Sequence, residues 1–170
     1  MKKVFLIAAF ALFGFGVQAQ DGGGQTDKGS WLVEANTNFG AVAGSNTSFG
    51  LSSIDGETAW SLGAEGGYFV ADDLAVKVGL GYADNGFSIL TYKVGAKYYI
   101  SSMIPVQVDY SGASIKDATE NPSYVGLQGG YAIFLGENVS IEPGLRYNVS
   151  LNDDFYESAL QFNIGFALHF

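Results

Sequence analysis

The feature that most constrains this chain is a strict alternation of bulky apolar residues with small or polar ones, repeated in segment after segment. In the last segment Leu160, Phe162, Ile164, Phe166, Leu168 and Phe170 fall on one parity, and Gln161, Asn163, Gly165, Ala167 and His169 on the other. The same split separates Leu74, Val76, Val78, Leu80 and Tyr82 from Ala75, Lys77, Gly79, Gly81 and Ala83. A period of two places each set on one side of a β-sheet, and no stretch carries the helical period. Eight strands are expected: Ser30–Gly40, Glu57–Val70, Leu74–Ala83, Phe87–Ile100, Pro105–Ser114, Ser123–Leu135, Val139–Ser150 and Ser158–Phe170. Short links (Ala71 to Asp73, Ser101 to Ile104, Gly136 to Asn138) alternate with longer ones (Ala41–Gly56, Ile115–Pro122, Leu151–Glu157), with Asp84 to Gly86 short where a long one is due.

Alternation alone does not say which face points outward, because a soluble barrel also alternates with its apolar face inside. Side-chain size decides. The polar face is crowded with glycine (Gly63, Gly67, Gly79, Gly81, Gly95, Gly126, Gly130, Gly144, Gly165). A water-facing surface has no need of small residues, whereas the interior of an eight-stranded barrel is just wide enough for side chains to fill. The bulky set would not fit inside and is accepted by lipid. The fold class expected is all-β: an eight-stranded antiparallel up-and-down transmembrane β-barrel.

The chain begins as an export signal does. Lys2 and Lys3 precede an apolar stretch from Val4 to Val17, and Val17-Gln18-Ala19 ends it with a small residue at the cleavage position. Residues 1–19 are expected to be a signal peptide, 20–29 a flexible periplasmic tether rich in Gly and Asp, and 30–170 the barrel. Two of the eight Lys and Arg lie in the leader and none of the 17 Asp and Glu, so the remainder has six basic and 17 acidic residues, a net charge of −11. That balance lacks the basic patch of a nucleic-acid partner. Acidic loops could also bridge through divalent cations to anionic headgroups, although a solvated acidic surface is the plainer reading. There is no Cys and one His, which excludes disulfides, thiolate chemistry and multi-His metal sites; no cofactor is expected.

Aromatic residues of the apolar parity gather near strand ends. Trp31, Tyr68, Tyr98 and Phe170 lie at one end, and Phe39, Trp60, Tyr82, Tyr110 and Tyr147 at the other, as in the two interfacial girdles of a membrane barrel; Tyr92 and Tyr131 fit neither cleanly. Pro105 and Pro122 sit at strand starts, but Pro143 falls mid-strand, where a bulge is expected.

The polar parity places Glu34, Glu65, Asp109 and Glu142 inside together with Lys77, Lys93, Lys97 and Arg146. Unpaired buried charge costs several kcal/mol, roughly, so pairing in a narrow lumen is nearly forced. The network either plugs the barrel or forms a gated ion path.

The export signal, the Gly- and Tyr-rich alternating strands, the charged lumen face and the terminal Ala167-Leu168-His169-Phe170 resemble the OmpA/OmpX-type family of small outer-membrane barrels. Lys28-Gly29-Ser30-Trp31 and the Ala19-Gln20 junction resemble its Bacteroidetes-type versions. The resemblance implies passage with periplasmic chaperones and insertion by the barrel-assembly machinery, with Phe170, Phe166 and Phe162 as the assembly signal. It further implies a monomer in the Gram-negative outer membrane, in contact with its lipids and lipopolysaccharide.

Three functions compete on the sequence. The first is a non-enzymatic structural or surface-interaction barrel. The second is a narrow porin-like channel for ions or small solutes. The third is a barrel enzyme. The lone His169 points inward at the periplasmic end, so no Ser–His–carboxylate set can form on the outer face or in the outer loops, and Asp153-Asp154 are most simply solvated; the expectation is not an enzyme.

Overall fold

The computed structural model describes residues 24–39, 47, 50–54, 57–84 and 86–170, with backbone alone for 38, 39, 50–54 and 57–59. The expected leader 1–19 and its cleavage point lie outside these residues.

The strands are β1 (Trp31–Phe39), β2 (Gly50–Ile54), β3 (Glu57–Ala71), β4 (Leu74–Asp84), β5 (Ser88–Ile100), β6 (Ile104–Ile115), β7 (Ser123–Gly130), β8 (Ile133–Phe134), β9 (Val139–Ser150) and β10 (Ala159–His169). Strands β2 to β7 pair antiparallel in sequence, β7 and β8 both pair with β9, β9 pairs with β10, and β1 closes the sheet by pairing with both β10 and β3. Since β7 and β8 form one interrupted stave, and β2 extends the β1 position, the wall is a closed eight-stranded antiparallel barrel. No helix occurs among the described residues.

The parity of the sequence becomes the two faces of the wall. Leu80, Val78 and Leu160 are 66%, 60% and 67% exposed on the outside, whereas Lys97 and Arg146 are 0% exposed within. The inner face therefore inverts the usual soluble core: its buried side chains are mostly polar and charged. Its apolar part is a floor at the short-turn end, where Leu32, Phe69, Ala75, Tyr99, Ala132 and Ala167 cluster with Phe134 against them.

Three expectations change. The link Ala41–Gly56 is not all loop: β2 continues upward along β3 from Gly50↔Ser61 to Ile54↔Glu57. Thr47, within that link, is buried, and its amide donates to the Asn36 carbonyl at 3.1 Å where β1 and β3 part. Pro143 makes no bulge. Gly130↔Gly144 and Ile133↔Ile141 keep one register on either side of it. Tyr131 donates to the Pro143 carbonyl at 3.0 Å, and proline has no N–H to return, so the ladder is interrupted without slipping. Gly130 and Gly144 absorb the irregularity, because a Cβ at either would lie 2.6 Å from an opposing carbonyl oxygen. The register shift falls instead between Phe69 and Ala71, beside the Asp72-Asp73 turn.

The third change concerns the tether. Its described part, 24–29, is folded across the short-turn mouth rather than free. Gln25 Nε2 donates to the Gly136 carbonyl at 2.6 Å, Thr26 Oγ1 to Asp73 Oδ1 at 2.6 Å, and the Gly29 amide to the Phe69 carbonyl at 2.9 Å. Composition suggested flexibility, but Gly29 at φ +98° is the turn that lets this strap enter β1.

Candidate functional site

The site is the lumen. Cross-strand register explains its construction, because long charged residues are set opposite glycine: Glu65↔Gly79↔Lys93 and Gly67↔Lys77↔Gly95↔Asp109↔Gly126. Each glycine leaves the volume its charged neighbour crosses. A Cβ on Gly79 would sit 2.9 Å from Glu65 Cγ, and one on Gly126 would sit 2.0 Å from Arg146 Nη2.

All eight expected lumen charges are buried and engaged. Glu34 and Glu65 stand directly opposite on β1 and β3, a repulsive pair on its own. Lys77 Nζ bridges them at 2.7 and 2.9 Å. Lys93 holds Glu65 at 2.7 Å. Lys97 reaches Glu34 at 2.8 Å and also pairs with Glu142. Arg146 grips Asp109 through both terminal nitrogens, each at 2.6 Å. Gln107 links the two groups, accepting from Lys77 at 2.9 Å and donating to Asp109 at 2.7 Å. Four positive and four negative groups cancel, so this network is formally neutral.

Neutral residues complete the set. Asn36 Nδ2 donates to Glu34 at 2.7 Å and to Glu65 at 3.0 Å, and Asn163 donates to Asn36 at 2.9 Å. Arg146 Nε donates to Asn148 at 2.8 Å, and Asn148 to Gln161 at 2.7 Å. Bidentate and charge-assisted bonds of this kind fix geometry as well as charge.

The sequence reading missed several members. Thr47 donates to Glu65 at 2.7 Å from a segment assigned to exposed loop. Tyr99 donates to Glu142 Oε1 at 2.8 Å, and Ser140 Oγ donates to the same oxygen at 3.0 Å. Parity could have found Tyr99 and Phe69, which share the inner face with Lys97 and Glu65. Nothing local marks Thr47, whose burial depends on where the chain returns.

Ser140 Oγ also lies 3.0 Å from His169 Nε2, and His169 Nδ1 lies 3.0 Å from the Gln25 carbonyl. This Ser–His–acid grouping sits in the lumen, not on the outer surfaces the sequence reading considered. Its chemistry is hydrogen-bond continuity. Ser140 is 0% and His169 1% exposed, and the carbonyl that orients the imidazole belongs to the strap covering it. Uncovering the serine would therefore remove the group that positions its base. Phe69, Phe134 and Tyr99 ring the imidazole at 5.5 to 6.4 Å between centroids.

On the outer face, Trp31 and Tyr68 are cross-strand partners with rings 5.0 Å apart at the short-turn end, where Tyr98 is exposed and Phe170 half-buried. Tyr131 joins that band, its hydroxyl 3.7 Å from Met103 Sδ. At the other end Trp60 and Tyr82 pair at 5.4 Å, Tyr147 is exposed, and Tyr110 packs at 6.2 Å from Tyr92, whose ring lies over Gly112. The Phe39 side chain lies outside those described. Phe162 and Phe166 are exposed on the outer face of β10.

The chain is similar in structure to the N-terminal β-barrel domain of Pseudomonas aeruginosa OprF, with a TM-score of 0.54, 14% identity, and coverage of 84% of this chain and 98% of that one. The fold is that of the small outer-membrane barrels. Pseudomonas aeruginosa OprG (TM-score 0.49, 12% identity, 87% and 99% covered) and Yersinia pestis Ail (0.48, 13%, 84% and 100%) are similar at lower scores. No family model and no curated protein matches the chain.

Proposed function

We propose that this chain is an OmpA/OmpX-type barrel of the outer membrane, with a structural or surface-interaction role and a lumen plugged by its own charge network. The observation that carries this reading is the lumen itself: eight charged groups, each 5% exposed or less, closed over an aromatic floor and a strap. Such a filled interior supports a wall element, not a solute path or a catalyst, and leaves the long-loop end as the surface for lipopolysaccharide or other partners. Phe162, Phe166 and Phe170 serve as the assembly signal, and the two aromatic bands sit at the interfaces. The barrel acts as a monomer, with chaperones and the assembly machinery as partners only during biogenesis.

Planar-bilayer recording tests the plug. Refolded protein, verified by a heat-dependent gel shift, is expected to leave the bilayer silent. Reproducible current steps that change in Lys77→Met or Glu142→Gln would replace the plug with a narrow porin-like channel.

The membrane reading has its own test. Leu80 lies mid-strand on the outer face, so Leu80→Arg is expected to cost about 2–4 kcal/mol in a lipid vesicle, as arginine does at a bilayer midplane. Urea unfolding of the vesicle-inserted protein measures it. A change near zero would mean that water, not lipid, covers that face.

A further inference from the structure

Among the described residues the wall is least paired between β1 and β3. Strands β5 and β6 pair continuously from Ile89↔Ile115 to Ile100↔Ile104, whereas β1 meets β3 only from Trp31↔Tyr68 to Glu34↔Glu65. Above that point Thr47 and β2 take its place along β3. Strand β1 also forms the closing seam with β10. A barrel opens where its pairing is shortest, so β1 is the stave whose departure would begin unfolding.

The folded segment before β1 reaches across this weak place. Thr26 binds the β3–β4 turn twice: its hydroxyl donates to Asp73 Oδ1 at 2.6 Å, and its carbonyl accepts from the Asp73 amide at 2.8 Å. The Asp73 carbonyl in turn accepts from the Tyr99 amide on β5 at 2.8 Å. The Lys28 amide donates to Asp72 at 3.0 Å. On the opposite rim, the Gln25 side chain donates to the Gly136 carbonyl, and the Gln25 carbonyl meets His169 Nδ1 at 3.0 Å. Thr26 is 3% and Ser30 5% exposed, so the bond of Thr26 to Asp73 is partly shielded from water, whereas those of Gln25 to Gly136 and of Lys28 to Asp72 lie on the exposed rim. Early and late parts of the chain are thus tied through seven residues, and those ties form only once the barrel has closed.

We infer that residues 24–30 are a clasp that retains β1 in the wall and sets how slowly the closed barrel opens. A contact made after the folding transition state slows unfolding and leaves folding almost unchanged.

Thr26→Val keeps the side-chain shape and removes the bond to the Asp73 carboxylate. The variant, refolded in detergent or vesicles, is expected to unfold about tenfold faster in urea, the effect of one charge-assisted hydrogen bond, with its folding rate within about twofold of the parent. An unchanged unfolding rate, or a loss expressed wholly in slower folding, overturns the clasp. A second variant uses the absence of cysteine in the chain. Thr26→Cys with Asp73→Cys, once oxidised, is expected to unfold more slowly than its own reduced form. Equal rates in the two redox states would show that the segment does not gate opening.

Discussion

Arg146→Met is expected to lower the unfolding free energy of the refolded barrel by about 3–5 kcal/mol, the cost of removing one partner from a buried ion pair. Arg146 is the largest fully buried side chain described, and both terminal nitrogens bind Asp109, itself 4% exposed. With Met in its place the Asp109 carboxylate keeps Gln107 as a neutral donor and loses its counter-charge. Urea titration in vesicles gives the midpoint. The companion variant Arg146→Met with Asp109→Leu removes both charges and is expected to recover most of the loss, because an apolar pair of similar volume often replaces a buried ion pair without penalty. If Arg146→Met unfolds at the parent midpoint, the pairing contributes nothing and the plug lacks its main support.

Gly95→Ala is the second large effect. The new Cβ would lie 2.4 Å from the Val108 carbonyl oxygen and 2.7 Å from Asp109 Cα. Both are backbone atoms of the neighbouring strand, so no rotamer change relieves the clash, and β5 must move away from β6. Overpacking of this kind costs about 1–3 kcal/mol, and displacement of Asp109 from Arg146 adds to it. Gly129→Ala is the matched control: it adds the same methyl group on the outer face, where nothing lies within 4 Å. It is expected to be neutral or slightly stabilising. Equal losses in the two variants would mean that the cost is one of glycine in strands generally, and not of the room that inward glycines leave for charge.

These two variants bear on how a polar interior is stabilised. In a water-soluble barrel the apolar face turns inward and drives closure. Here the outer face carries the apolar side chains and the interior is held by paired charge, so stability rests on complete pairing, and loss of a single partner is costly.

Much of this was legible in the chain. Period two assigned Glu34, Lys77, Lys97 and Arg146 to the same side as the glycines, because strand geometry forces successive side chains to opposite faces whatever surrounds them. The eight staves and their ends followed from the same alternation, interrupted by turn residues such as Asp72-Asp73 and Gly136 to Asn138. What parity leaves open is which lumen residue meets which. Lys77 and Glu34 are far apart in sequence, and their 2.7 Å contact depends on the closing of β1 against β3. The bonds of Thr47 to Glu65 and of Gln25 to His169 likewise arise from segments whose composition, rich in Gly, Ser and Asp, matches any exposed loop. Pro143 looked like a bulge because proline breaks a ladder; Gly144 beside it and Gly130 opposite Gly144 take up the irregularity. The sequence by itself therefore determined the strands, their faces and the residue types of the interior, since these follow from local stereochemistry. Tertiary structure alone decided the partners and the folded strap, since those depend on long-range closure that brings residues 24–30 and the last strand to one mouth.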